Sequence, residues 1–231
     1  MLLPLAERPM LDYLLDRIRE LEEIDEIHLV TNARFAPAFR EWARDRAISI
    51  HDDGTTSNED RLGAIGDLAF TIDRAGLEGE DLLVVAGDNL IGYSLPDYVA
   101  FWREKGGSAI ALYEVADREL LKGYGVVELD EDDRVVGFEE KPAEARSDLA
   151  ATAAYLYGGE DLGLLPRYLE EGNPPDAPGN FVAWLHTRTP VYGYRFAGEW
   201  HDIGDLGQLL EADNRLRERA GLPTRGEYAI D

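Results

Sequence analysis

Three short segments place acids or a lysine where chemistry could be done: Gly87-Asp88-Asn89, Gly137-Phe138-Glu139-Glu140-Lys141-Pro142 and Trp200-His201-Asp202-Ile203-Gly204-Asp205. The first follows the unbroken apolar run Leu82-Leu83-Val84-Val85-Ala86, which reads as a strand buried on both faces. Ligands of open α/β sheets bind outside the carboxyl ends of strands. A carboxylate there can hold Mg²⁺ beside a triphosphate, because magnesium takes oxygen ligands and phosphate oxygens. The same residues would also serve as a plain turn. Lys141 ends a strand and is followed by Pro142, so its ammonium could grip a phosphate as a point charge, or merely solvate a strand end. Asp202 follows a short strand and precedes a helix, the place of either a second metal ligand or an N-terminal cap. The four histidines, His28, His51, His186 and His201, show no metal-ligand spacing.

The elements that must position these groups alternate. Apolar residues at helical spacing from Pro9 to Leu21 predict an amphipathic helix, with Pro9 suited to its first turn. Strands are predicted at 26–31 and 47–51, helices at 36–46 and 61–75, and the buried strand at 82–86. This alternation implies an α/β fold with a doubly wound, mostly parallel sheet. The second half is richer in strands, at 109–114, 125–129, 135–139, 151–157 and 191–196. The pair 126–138 reads as a hairpin turning at Asp130-Glu131-Asp132-Asp133, and 205–218 as a closing helix. Gly172 to Gly179 reads as a loop. With no linker or internal repeat, residues 1–231 are expected to form a single domain.

Composition narrows the partners. The 231 residues carry a formal net charge of −24, which argues against nucleic acid or an anionic membrane as the main partner. Any anionic ligand must be met by local donors and a divalent cation. Only three basic residues are lysine: Lys105, Lys122 and Lys141. The acid-rich, lysine-poor balance fits a salty cytoplasm, or a GC-rich genome that favours arginine. No apolar run reaches membrane-spanning length and no signal-peptide pattern opens the chain, so a cytoplasmic location is the default expectation. Without cysteine there is no disulfide framework and no thiolate metal site.

Taken in order, Gly87-Asp88-Asn89, Tyr124-Gly125-Val126-Val127, Glu139-Glu140-Lys141-Pro142 and Trp200-His201-Asp202-Ile203-Gly204 resemble the motifs of the sugar-phosphate nucleotidyltransferase family. That family includes the glucose-1-phosphate thymidylyl- and uridylyltransferases. Leu3-Pro4-Leu5-Ala6-Glu7-Arg8-Pro9-Met10-Leu11 is similar to the family segment that enters its first helix. The resemblance implies a Rossmann-like fold of the nucleotide-diphospho-sugar transferase type, with Asp88 and Asp202 holding the catalytic Mg²⁺. It implies Lys141 on the sugar phosphate, Glu140 on a sugar hydroxyl, and Gly125 at a close backbone approach to the sugar. Asn89 and Tyr155 would join the substrate site, and Gly63 in Arg61-Leu62-Gly63-Ala64 would lie near the base. The segment Thr152-Ala153-Ala154-Tyr155 departs from a Thr-Gly-x-Tyr-like pattern, since both central positions are alanine.

The implied reaction is in-line attack of a sugar 1-phosphate oxygen on the α-phosphorus of a nucleoside triphosphate. UTP or dTTP and glucose 1-phosphate are the default substrates, and a homo-oligomer is compatible with the sequence. The resemblance also implies a defect. The family's glycine-rich phosphate loop, Gly-x-Gly-Thr-Arg-Leu, and the interior first strand before it have no counterpart here. Loss of an interior strand would leave unpaired edges on both neighbours. A truncated gene, a strand supplied by another chain, and a catalytically inactive sugar-phosphate-binding or regulatory remnant are the alternatives. Little or no turnover is expected of residues 1–231 alone. A dinucleotide-binding oxidoreductase is disfavoured, because no Gly-x-Gly-x-x-Gly follows any predicted strand.

Overall fold

The computed structural model describes residues 1–229. Two short strands, β1 (Pro4–Leu5) and β2 (Arg8–Pro9), turn through Ala6 and Glu7, both in the left-handed region with φ of 44° and 73°. Helix α1 (Met10–Ile18) follows and buries Met10, Leu11, Leu14 and Leu15, the single stripe that its apolar spacing predicts. Strand β3 (His28–Thr31), helix α2 (Ala36–Ala43), strand β4 (Ser49–Asp52), helix α3 (Ala64–Ala75) and strand β5 (Leu82–Val85) then alternate as expected. Strand β6 (Asn89–Ile91), helix α4 (Leu95–Lys105) and strand β7 (Ser108–Glu114) lead into the hairpin β8 (Gly125–Leu129) and β9 (Val135–Glu140). The long strand β10 (Leu149–Tyr157) is followed by helices α5 (Gly159–Leu162), α6 (Leu165–Glu170) and α7 (Pro178–Leu185). Strands β11 (Val191–Arg195) and β12 (Trp200–Asp202) and helix α8 (Leu206–Arg219) complete the chain. No helix among the described residues is long and apolar enough to cross a membrane.

The fold is α/β and layered. Alternate residues of β7 and β10 point to opposite faces, as a strand requires. Ala109, Ala111, Ala154 and Leu156 face a core built with α1, α2 and α4. Ile110, Leu112, Tyr155 and Tyr157 face a second core built with α3, α6 and α7. Helices α4 and α5 to α7, which the sequence reading leaves unassigned, are therefore what closes each face.

The sheet is mixed, which corrects the expected predominance of parallel pairs. Among the described residues parallel pairing is confined to β3–β4 and β7–β11. Strand β10 runs antiparallel to β7 along one edge, and to β8 and then β5 along the other. The reason lies in the connections. Strands β8, β9 and β10 follow one another through links too short for a crossover helix, so they cannot all run the same way.

The sheet is also split. Strand β3 pairs only with β4 and β5 only with β10; among the described residues no strand pairs with the second edge of either. Both edges face one cavity of about 770 Å³, walled by Leu11, Leu14 and Leu15 and by Ile65, Leu68 and Phe181. All four residues of β5 are in consequence half-buried, where the apolar run alone predicts full burial.

The cavity wall carries one misplaced charge. Asp67, in the first turn of α3, has a carboxylate oxygen that is buried without a hydrogen-bond partner. Its pKa is pushed up to about 6, first by burial and then by the charge of Asp53. Between the ordinary carboxylate range near 4 and about 6, the folded chain holds the extra proton, so stability falls as pH rises through that window. Above it the penalty is carried in full. Asp67→Asn is expected to stabilise the fold at pH 8 by about 1 kcal/mol, discounted for partial solvent access, and to do nothing at pH 4. Urea denaturation at the two pH values measures this; equal gains at both would show that the carboxylate charge is not the cause.

Candidate active site

Strands β6 and β12 form a two-stranded antiparallel ribbon with Asn89 opposite Asp202, Leu90 opposite His201 and Ile91 opposite Trp200. The Ile203 N–H donates to the Asp88 carbonyl at 3.0 Å. Asp88 and Asp202 thus reach one place from positions 114 residues apart in sequence. The capping role open to Asp202 falls instead on Asp205, whose carboxylate accepts from the Gln208 N–H while the Gln208 side chain accepts from the Asp205 N–H. Asp202 is thereby left for the site. Its carboxyl is pushed up by burial and then by the charge of Asp88, while Lys141 pulls it the other way. Asp88 and Lys141 thus both act on Asp202.

Among the described residues no cluster of three potential metal ligands occurs. The pair Asp88 and Asp202 nevertheless suits Mg²⁺, which keeps several waters and is commonly held by one or two carboxylates plus phosphate oxygens. The raised Asp202 carboxyl fits the same reading, since two acids crowded together repel until a cation joins them.

Lys141 directly follows β9 with φ at 48°, an unfavourable conformation for a side-chain-bearing residue, and its N–H donates to the Tyr124 carbonyl at 3.0 Å. Lys105 and Lys122 pair with Asp133 and Glu119. Among the described residues Lys141 has no carboxylate in ion-pair range, in a chain with twice as many acids as bases. An ammonium so placed is available to an incoming anion. Glu140, next to it, is pushed up by burial and held down by Lys141.

Glycine is required around Glu140 by contact distance. A Cβ on Gly125 would lie 2.6 Å from the Phe138 ring and 3.0 Å from Glu140 Oε2. A Cβ on Gly179 would lie 2.4 and 2.8 Å from the same two atoms. The Glu140 carboxylate is therefore packed between two backbones, one from β8 and one from α7. Tyr155 is buried, stacks on Tyr157 with ring centroids 5.5 Å apart, and has its phenol pushed up by burial and then by the charge of Glu140.

Two of the expected substrate-site residues make close contacts within the protein. Gly63, at φ 80°, begins α3, and a Cβ there would lie 2.7 Å from the Pro175 carbonyl oxygen. The carbonyls of Pro175 and Asp176 accept from Ile65 and Ala64. Its close approach is thus to the 175–176 loop. Asn89 is only 3% exposed, and both ends of its amide are taken by protein: Trp200 Nε1 donates to its Oδ1 at 2.5 Å, and its Nδ2 donates to Asp88 Oδ1 at 2.9 Å.

Sequence reasoning missed Gly179, Trp200 and Tyr124 as participants. The indole of Trp200 packs on Tyr124, with centroids 5.1 Å apart, and the Tyr124 phenol is pushed up by burial and then by the charge of Asp202. Gly179 was signalled only by its place in the Pro-rich segment read as a loop. At the alanine pair of β10, Ala153 takes φ of 50° at a β-bulge, and its carbonyl accepts from the Ala86 N–H at 3.0 Å. The departure from glycine thus falls on a left-handed position, where a methyl group costs about 1 kcal/mol.

Known proteins resemble the chain along this whole arrangement. Over 223 residues it is 27% identical to the UTP–glucose-1-phosphate uridylyltransferase of Synechocystis, covering 91% of this chain and 56% of that protein. It is 31% identical over 144 residues to a glucose-1-phosphate adenylyltransferase of Clostridium acetobutylicum, covering 59% of this chain and 37% of that protein. The chain thus spans only about half of such relatives, or less. Two crystal structures share the fold: a Bacillus anthracis protein assigned as a glucose-1-phosphate thymidylyltransferase, with sucrose bound, and an apo UDP-glucose pyrophosphorylase. Their TM-scores are 0.74 and 0.75 at 21% and 18% identity, covering 94% and 95% of this chain and 86% and 90% of those chains. The family model for nucleotidyl transferases matches residues 1–219, and the chain belongs to that family.

Proposed function

We propose that the protein transfers a nucleotidyl group from a nucleoside triphosphate to a sugar 1-phosphate, with glucose 1-phosphate as the default acceptor and UTP or dTTP as the default donors. The observation that carries this reading is the convergence of Asp88, Asp202 and Lys141, which has no ion-pair partner among the described residues, beside the half-buried Glu140. A sugar-phosphate oxygen attacks the α-phosphorus in line, the bond to the bridging oxygen breaks, and pyrophosphate leaves with its electron pair. No covalent intermediate on the protein is needed. Mg²⁺, when bound, would neutralise the phosphate oxygens and orient them for displacement. Asp88 and Asp202 would hold it, and Lys141 would hold the sugar phosphate by charge. Glu140, fixed between Gly125 and Gly179, would accept a hydrogen bond from a sugar hydroxyl. Gathering the two substrates is the main contribution such a protein makes to an in-line transfer.

A second reading is a sugar-phosphate-binding module without turnover. One experiment separates the two. Purified protein is given Mg²⁺, glucose 1-phosphate and each of four nucleoside triphosphates, with pyrophosphate release and calorimetric binding of glucose 1-phosphate followed together. Sugar-phosphate-dependent release supports transfer; binding without release selects the second reading; neither signal refutes both.

A further inference from the structure

We propose that Trp200 and Asn89 form a relay that sets the orientation of the Asp88 carboxylate, so that a divalent cation meets a prearranged oxygen. The inference rests on the reading of Asp88 as a cation ligand and gives Asn89 a positioning role in place of substrate contact. Its basis is the chain of two hydrogen bonds, Trp200 Nε1 to Asn89 Oδ1 at 2.5 Å and Asn89 Nδ2 to Asp88 Oδ1 at 2.9 Å.

The direction of the relay is forced by chemistry. An indole N–H can only donate, and an ionised carboxylate can only accept. An asparagine amide between them has one arrangement that satisfies both: oxygen toward Trp200, nitrogen toward Asp88. Neither end can turn to water, because Asn89 is 3% exposed. The amide is further fixed by the ribbon, where Asn89 pairs with Asp202 and Trp200 with Ile91. The indole itself is wedged against Tyr124 and Tyr113, with ring centroids 5.1 and 5.8 Å away. Asp88 Oδ1 is thus occupied, and Oδ2 is left as the oxygen that a cation can take. Partners of metal-holding carboxylates act in this way, and their loss commonly weakens metal affinity by about 10- to 100-fold.

Trp200→Phe removes the N–H and keeps an aromatic ring, though a smaller one. The amide of Asn89 then loses its reason to face one way and can turn its oxygen toward Asp88. Asn89→Leu cuts the relay at its centre. The probe is Mn²⁺ alone, titrated against the whole protein and read by water-proton relaxation, with far-ultraviolet circular dichroism to confirm folding. Parent protein is expected to bind Mn²⁺ at a site that Asp88→Asn abolishes. Trp200→Phe and Asn89→Leu should each raise the half-saturation concentration about tenfold, and the double variant no further than either alone, since all three break one chain. Unchanged Mn²⁺ affinity in a folded Trp200→Phe protein, or additive losses in the double variant, overturns the relay while leaving Asp88 as a ligand. Unchanged affinity in Asp88→Asn overturns the reading of Asp88 itself, and the relay with it.

Discussion

Asp88→Asn and Asp202→Asn should each lower, by roughly 10²- to 10³-fold, whatever cation-dependent pyrophosphate release the parent protein shows, the usual loss when one fixed charge or donor is taken from a transfer site. The two substitutions should differ in stability from an ordinary core lesion. Asp202 is pushed up by burial and by its neighbour Asp88, so at neutral pH its ionised form is a liability to the fold. The sign follows: a carboxyl raised in the folded state gives most at low pH and loses that contribution as pH rises past its folded value. Asp202→Asn removes the repulsion and keeps the volume, so it should melt no lower than the parent at pH 7.5 while losing turnover. Loss of activity with retained or raised stability is the mark of a group kept for function. Steady-state pyrophosphate assays beside thermal melts decide the matter. Normal rates in both variants would dismiss the metal assignment, and a collapse of the melting temperature in Asp202→Asn would make the residue structural.

Much of the candidate site could be proposed from residues, for a physical reason. Asp88 announces itself because a four-residue apolar strand ends abruptly at Gly87, and strand ends are where α/β sheets bind. Lys141 stands out because lysine is rare in a chain of charge −24. What sequence could not supply is pairing across distance. The ribbon of β6 and β12 joins residues more than a hundred positions apart, and only its register turns Trp200 from a motif letter into the partner of Asn89. Gly179 was hidden for the same reason: its need for a bare backbone comes from Phe138 and Glu140, which approach from another element. The sheet direction was misjudged because alternation of helix and strand in the first half was extended to the second. There, short links make antiparallel pairs, and one long strand, β10, serves three neighbours. Ala153 shows the opposite case, a departure visible in sequence whose left-handed φ of 50° only coordinates reveal.

Asp213→Ala should cost the fold about 3 kcal/mol and lower its melting temperature by roughly 6 to 12 °C, at 2 to 4 °C per kcal/mol for a chain of this size. Asp213 lies on α8 with no exposed surface, and its Oδ1 accepts from the Ala6 N–H at 2.7 Å. Its Oδ2 stands 3.5 Å from Arg225 Nε, an ion pair without a hydrogen bond, and Arg217 is buried on the same helix. Truncation strands the amide of Ala6 and takes the facing carboxylate from the partly exposed guanidinium of Arg225, which is more damaging than losing one neutral hydrogen bond. The amide matters because Ala6 and Glu7 both hold positive φ, a conformation that an unanchored turn would abandon. Asp213→Asn keeps an acceptor for Ala6 and should lose about half as much. The consequence reaches the site, because Leu5 in that turn packs with Leu90 of β6 and Leu209 of α8. Leu90 follows Asn89 on the ribbon that carries Asp88 and Asp202, so a loosened turn removes the support beneath both acids. Hydrogen exchange should accordingly speed up in residues 3–9 and 89–91 together. A melt within 2 °C of the parent, or faster exchange confined to α8, would show that Asp213 does not brace the turn.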